Sequence, residues 1–397
     1  MSIWNKLISK RVDKGLADDL LKKTQQEVDK MPPTNIIVAG KTGSGKSTLI
    51  NALFREKIAE TGVGAPVTQH IEKITKKGMP ITLYDTKGLE LTSKAQHEVL
   101  TSISDLIKDN KGTKDAIHLV YYTLNANMRR IEPYEEELIS AIAKQVPVIL
   151  VLTQAIGQEY YHFEEYLQKQ NLPIKAIVPV LAKPYVLSEE NVIPAFGLQG
   201  LIDITMAVLP QEAHASFINA QQVDLERKVT SARSWAKKYI TTAFGVGFTP
   251  IPVADAAVLV PMQIGMLAHI TSIFGLGLDK AQIVSLLAGI GGTSGATMLG
   301  KYIVSSAFKF FPGIGSVAGG AISGITAGSL TIALAYSYIE VLKQLARAEM
   351  MGRNIPLAEL QTLMNKNFSD QLKEVNKFLP EKVKKEVLPE WLNSFLK

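Results

Sequence analysis

The chain has 397 residues, of which 46% are hydrophobic and 20% charged, with no cysteine and a net charge of +6. One hydrophobic core rarely fills such a length, so two or three domains are expected. A disordered chain, a disulfide scaffold and a thiolate nucleophile or metal ligand are all excluded. The modest basic excess suits an anionic membrane surface or nucleic acid and does not choose between them.

Residues 3–30 read as an amphipathic helix. Ile3, Trp4, Leu7, Ile8 and Val12 recur at helical spacing among Lys6, Lys10, Arg11 and Lys14. Two roles fit it: packing beside other helices, or a surface membrane anchor with Trp4 at the interface. Met31-Pro32-Pro33 ends it. No apolar run near the N-terminus reads as a signal peptide.

Residues 35–210 alternate short apolar strands with helical patterns. The strands are 35–39, 81–84, 116–122, 148–152 and 176–180. The helices are near 46–55, 93–109, 132–145, 159–170 and 197–208. This alternation predicts an α/β domain with a mostly parallel sheet covered on both faces.

The strand signal ends near residue 211. Residues 212–240 are polar and helical, and 355–397 are charged amphipathic helix. Between them, residues 240–339 carry only five charged side chains: Asp255, Asp279, Lys280, Lys301 and Lys309. They also hold 16 of the 29 glycines. The predicted division is 1–31, an N-terminal helix packing with the C-terminal helices; 32–210, the α/β domain; and 211–397, an all-α domain with a glycine-rich apolar core at 240–345.

The strongest chemical signal is Gly40-Lys41-Thr42-Gly43-Ser44-Gly45-Lys46-Ser47, followed by Thr48. It satisfies GxxxxGK[ST], a phosphate-binding loop. Glycines let backbone N–H groups turn toward phosphate oxygens, and the next helix adds its positive end. Lys46 would reach the β- and γ-phosphates, and the Ser47 hydroxyl would bind Mg²⁺. A strand precedes the loop and a helix follows it, as the chemistry requires.

Asp85-Thr86-Lys87-Gly88 closes the strand at 81–84. A carboxylate there would sit near Mg²⁺, and Gly88 would bring a backbone N–H to the γ-phosphate. Thr61 to Thr68 reads as a flexible loop before a strand-like stretch at 69–76. Thr68 is its best candidate for a hydroxyl on Mg²⁺, and Thr61 is a weaker one. The six histidines show no metal-ligand spacing, so no histidine zinc site is expected.

Residues 34–185 resemble a P-loop GTPase domain of the translation-factor-related class, Era-like and akin to immunity-related and septin-like branches. The phosphate loop and DTKG carry the resemblance. It implies a mixed, mostly parallel sheet with its second strand antiparallel. It also implies GTP/GDP with Mg²⁺, switch loops around Thr68 and 87–89, and a possible homodimer through this domain. The segment matching the guanine-reading [NT]KxD motif is Thr153-Gln154-Ala155-Ile156. Its Asp is missing and Gln154 stands for the Lys, so guanine selectivity must arise elsewhere or be weak. Leu181-Ala182-Lys183 resembles the last motif, where the Ala182 N–H would meet guanine O6. Leu89 stands where Ras-like enzymes carry a water-positioning Gln. Slow intrinsic hydrolysis, accelerated by a partner or dimer, is the expectation. Lys41, Lys87 and Glu90 are candidates to assist it.

Uncharged runs cover 256–278, 281–300 and 310–339. Small-xxx-small patterns at Gly315, Gly319, Ser323 and at Gly320, Gly324, Gly328 allow close helix approach in lipid. Pro250, Pro252, Pro261 and Pro312, with many Gly, Ser and Ala residues, fit a buried helical core equally well. The stretches 249–255, 260–266 and 311–315 resemble a hydrophobic helical domain of unknown function that follows Era-like GTPase domains in bacteria. Asp255 reads as a helix cap.

Three functions follow. The first is a GTP-hydrolysing switch relaying its state to the helical domain, cytoplasmic, with peripheral or inner-membrane association and lipid as a candidate partner. The second is a nucleotide-binding scaffold with little hydrolysis. The third, least favoured, is a ribosome-assembly GTPase: no KH-type GxxG in a basic context is present, so a nucleic-acid partner is not expected.

Overall fold

The computed structural model describes residues 3–86, 93–247, 254–291 and 324–378. They divide into two compact units: the described residues of Val28–Asp224, and those of Met1–Glu27 with Leu225–Lys397.

The first unit is built on seven strands: β1 (Thr34–Ala39), β2 (Val63–Pro66), β3 (Ile71–Lys76), β4 (Met79–Thr86), β5 (Leu119–Asn125), β6 (Val148–Thr153) and β7 (Ala176–Val180). Their order is β2-β3-β4-β1-β5-β6-β7. The run β4-β1-β5-β6-β7 is parallel, and β3 is antiparallel to both its neighbours. A two-stranded hairpin, β8 (Tyr185–Val186) with β9 (Val192–Ile193), follows β7.

Side chains alternate across the sheet, so each central strand feeds two cores. Ile37, Val120, Tyr122, Leu150 and Leu152 face α4 (Ser93–Asp109), α5 (Pro133–Ala143) and α6 (Glu159–Lys169). Ile36, Val38, Leu83, Tyr121, Ile149 and Val151 face α2 (Lys46–Leu53), α7 (Leu198–Val208) and α8 (His214–Ala220). A single helical turn, α3 (Ile58–Thr61), leads into β2. The result is a three-layer α/β/α domain with a mixed, mostly parallel sheet.

Three local differences from the sequence reading have physical causes. Residues 61–68 contain the edge strand β2, whose four residues are all exposed and so carry no alternation to read. The strand expected at 116–122 lies at 119–125. His118 is instead tied to the start of β1, with Asn35 N donating to His118 Nδ1 at 3.0 Å and His118 N donating to Asn35 O. Residues 211–224 pack on this unit, beyond position 210. Thr34 Oγ1 donates to Ala213 O (3.0 Å), and the Gln222 amide donates to Asn51 O and Ala52 O (3.0 and 3.1 Å) at the end of α2.

The second unit is helical. Besides α1 (Ile3–Asp29) it holds α9 (Leu225–Gly247), α10 (Ala254–Phe274), α11 (Lys280–Gly291), α12 (Gly324–Met350) and α13 (Leu357–Phe378). α12 packs against α9, α10 and α13, and α11 packs on α13. Leu330, Leu334, Tyr338, Val341 and Leu342 of α12 are all buried. A helix apolar around most of its surface belongs in such a central position. Asp279 starts α11 with a reciprocal box: Gln282 N donates to Asp279 Oδ1 (2.8 Å) and Asp279 N donates to Gln282 Oε1 (2.9 Å). Asp255 falls in the first turn of α10 rather than before it, and Pro261 lies inside that helix rather than ending it.

Among the described residues no helix is long and apolar enough to cross a membrane. Pro250, Pro252, Pro312, Lys301, Lys309 and the small-residue patterns up to Ser323 lie outside the described residues, as do the side chains of Ile3, Trp4, Leu7, Ile8 and Val12.

Candidate functional site

The site lies at the C-terminal edge of the parallel strands, where the 40–45 loop joins β1 to α2. Gly40 (φ +145°), Gly43 (φ +76°) and Gly45 (φ +88°) all adopt backbone angles that favour glycine. At Gly40 a Cβ would lie 2.2 Å from Thr123 Oγ1 and 2.5 Å from Thr123 O, so only glycine fits against β5. α2 is fixed by Leu49, Ile50 and Leu53 in the core, which aims its N-terminal turn at the loop.

Lys46 folds back over the loop. Its Nζ donates to Gly40 O (2.7 Å) and Lys41 O (3.0 Å), and Ser44 N also donates to Lys41 O (3.1 Å). Beside it opens a cavity of about 390 Å³ lined by Thr42, Gly43, Gly45, Lys46, Ser47, Thr48, Asp85, Thr86 and Gln154. Pairing of Val38 with Asp85 brings the carboxylate of β4 to the loop's side. Ser47 and Asp85 therefore offer a hydroxyl and a carboxylate to one space. Such hard oxygen donors fit Mg²⁺, which takes its remaining ligands from phosphate and water.

Two threonines hold the loop from below. The hydroxyls of Thr123 and Ser44 are 2.6 Å apart, and Thr123 Oγ1 donates to Ala39 O (3.0 Å). Thr153 is 3% exposed, and its hydroxyl contacts Ser44 O and Leu124 O. The structure thus places Thr153 under the loop, not on the cavity wall. Gln154, in the left-handed region (φ +53°), lines the cavity, and its amide donates to Gly43 O (3.4 Å).

Other expected residues stand apart. Thr68 Oγ1 accepts from His70 N and Ile71 N (3.1 Å each), a local turn, and Thr68 is not among the residues lining the cavity. Ala182 packs against the sheet next to the Leu181–Phe196 bridge, and neither it nor Lys183 lines the cavity. Lys87, Gly88, Leu89 and Glu90 lie outside the described residues, as does the side chain of Thr61. Lys41 lies on the far side of the loop. Its Nζ is 3.2 Å from Glu135 Oε2 and sits over the Tyr134 ring at 5.1 Å.

The sequence reading missed Thr86, Thr123 and Glu135. Thr86 sits inside DTKG and is 1% exposed on the cavity wall. Thr123 shows no motif. Glu135 is signalled by Glu132-Pro133-x-Glu135, a capping box with proline at the first helical position.

Comparison with known proteins agrees with this geometry. Residues 35–154 match the family described as "50S ribosome-binding GTPase". Residues 212–369 match a family described as a domain of unknown function (DUF697). The chain carries a P-loop GTPase domain and a DUF697 domain. It is 26% identical over 156 residues to the tRNA modification GTPase MnmE of Ureaplasma parvum, covering 39% of this chain and 33% of that protein. It is 26% identical over 160 residues to human Septin-9, covering 33% of this chain and 27% of that protein. The chain thus spans a third or less of the length of these curated relatives. Among solved structures, a probable GTP-binding protein engB aligns with TM-score 0.32 and 20% identity, covering 44% of this chain and 98% of that one.

Proposed function

We propose that the protein is a nucleotide-dependent switch that binds GTP with Mg²⁺, hydrolyses it slowly and relays its state to the helical unit. The observation that carries this is the cavity in which the glycine-shaped loop, Lys46, Ser47 and Asp85 converge. Loop amides and the start of α2 would hold the β-phosphate. Lys46 would exchange the Gly40 and Lys41 carbonyls for β- and γ-oxygens, neutralising charge that builds there as water attacks the γ-phosphorus. Ser47 and Asp85 would hold Mg²⁺, which would supply further stabilisation of the developing negative charge. Thr68 and Gly88 would join only when the γ-phosphate is present.

Guanine is the proposed base because the matching family and the MnmE relative are named GTPases. With Ile156 where an Asp would read the base, selectivity falls to Gln154 and the backbone near Ala182 and Lys183. Leu89 in place of a water-positioning Gln supports slow turnover, hastened by a homodimer through this domain.

Calorimetry with GDP, a non-hydrolysable GTP analogue and its ATP counterpart tests the reading. Wild type should bind guanine nucleotides, and Lys46→Ala should lose binding. No binding by wild type would sink it. Turnover per molecule should rise with protein concentration. A flat, near-zero rate would favour the scaffold reading, which Leu89 and the turned-away Thr68 hydroxyl also support. Flotation with anionic liposomes in each nucleotide state tests the proposed peripheral membrane association. Cosedimentation with 50S subunits tests the ribosomal role that the family description names.

A further inference from the structure

The loop that lines the nucleotide cavity has a second face. There a smaller cavity of about 100 Å³ opens between residues 41–44 and the start of α5, walled by Lys41, Thr123, Asn125, Arg130 and Glu135. The Glu135 carboxylate on its wall is almost fully buried. Glu135 Oε1 accepts from the Tyr122 hydroxyl (3.1 Å), and Oε2 accepts from Glu132 N (3.0 Å). Burial first, and then this carboxylate, push the Tyr122 hydroxyl well above its ordinary value, so it stays a proton donor. The positive charge opposite Glu135 comes from Lys41, on the phosphate loop itself.

A buried carboxylate is stable only when paired and hydrogen-bonded, so Lys41 is strongly held. The same residue's carbonyl receives both Lys46 Nζ and Ser44 N. Fixing the Lys41 side chain therefore fixes the peptide that sets the loop's turn and the resting place of Lys46. We propose that Glu135 is a positioning residue for the nucleotide site: through Lys41 it clamps the phosphate loop to α5 and holds it in the shape that receives phosphate. This rests on the nucleotide-binding reading above.

The clamp acts on the loop before nucleotide arrives, so it should strengthen GDP and GTP alike. The test compares wild type, Glu135→Gln, Lys41→Met, Lys41→Arg and the Glu135→Gln/Lys41→Met double variant. Affinity for GDP and for a non-hydrolysable GTP analogue is measured by calorimetry, beside thermal unfolding. Glu135→Gln keeps one oxygen, enough for either Tyr122 or Glu132 N but not both, and loses the charge. It and Lys41→Met should each weaken both nucleotides by about tenfold, the scale of one charge-assisted hydrogen bond. The double variant should be no weaker than either single one, and Lys41→Arg should restore most of the affinity. Unchanged affinity in variants of a wild type that binds would overturn the clamp alone. So would a loss confined to the GTP analogue, or losses that add in the double variant. A wild type that binds no nucleotide would overturn the underlying reading and the clamp with it. Should Glu135→Gln prove unfolded, Lys41→Met decides, since that side chain is one-third exposed and leaves the core intact.

Discussion

The phosphate loop depends on single atoms. Gly40 and Gly43 both have positive φ, yet their surroundings differ. A Cβ at Gly43 meets open space, whereas one at Gly40 meets the backbone and hydroxyl of Thr123. Gly43→Ala should cost only about 1 kcal/mol of backbone strain. Gly40→Ala must also displace β5, so a loss of about 2–4 kcal/mol and failure to bind nucleotide are expected. Denaturant unfolding of the two variants checks the order. Thr153 gives a second residue-scale test. Its hydroxyl serves Ser44 O and Leu124 O, so Thr153→Val should cost about 1 kcal/mol and weaken GTP and ATP binding in proportion. A change in the GTP-to-ATP ratio, read by calorimetry, would put Thr153 on the base instead.

At the level of elements, legibility followed burial. β1, β5 and β6 are almost wholly buried, so each contains a short apolar run (Ile36–Ala39, Leu119–Tyr122, Val148–Leu152) that stands out in the sequence. β2 has no buried face, and Val63-Gly64-Ala65-Pro66 reads as loop. The phosphate loop was legible because its glycines answer a backbone requirement that no other residue meets. Thr123 and Glu135 were not, because their roles arise between elements distant in sequence: Thr123 is 83 positions from Gly40, and Glu135 is 94 positions from Lys41. The helical unit hides a similar contact. Gly289 on α11 looks like one more glycine in a glycine-rich stretch, but a Cβ there would lie 2.6 Å from both Gln361 O and Met364 Cβ of α13. The crossing is closed further by Asn365 Nδ2, which donates to Gly289 O at 3.0 Å. Gly289→Ala must part the two helices and should cost about 1–3 kcal/mol, seen as a lower unfolding midpoint of the helical unit.

The whole molecule joins an α/β unit and a helical unit with similar internal logic. The charge-poor stretch is the clearest example: most of its described apolar side chains on α10 and α12, among them Leu267, Ile270, Leu334 and Tyr338, are buried within the helical unit. Each unit also seals a tyrosine in its core. Tyr121, on β5, has its hydroxyl 2.7 Å from Thr205 Oγ1, and Tyr338, on α12, has its own 2.8 Å from Thr271 Oγ1. Burial raises both hydroxyls well above the ordinary value of 10.0, although their threonine partners pull the other way. Below pH 10 both states hold these protons and stability is unaffected. Above it the unfolded chain releases them while the folded chain does not, so the unfolded chain binds fewer protons and stability falls as pH rises. Tyr121→Phe should flatten that fall in the α/β unit, and Tyr338→Phe in the helical unit. Neither should cost more than about 1 kcal/mol at neutral pH, because Thr205 still donates to Leu201 O and Thr271 to Leu267 O. Denaturant unfolding across alkaline pH, with tyrosinate absorbance recorded in parallel, checks this. An equally steep fall in both variants would assign the alkaline loss to other raised tyrosines, such as Tyr122 and Tyr336, instead.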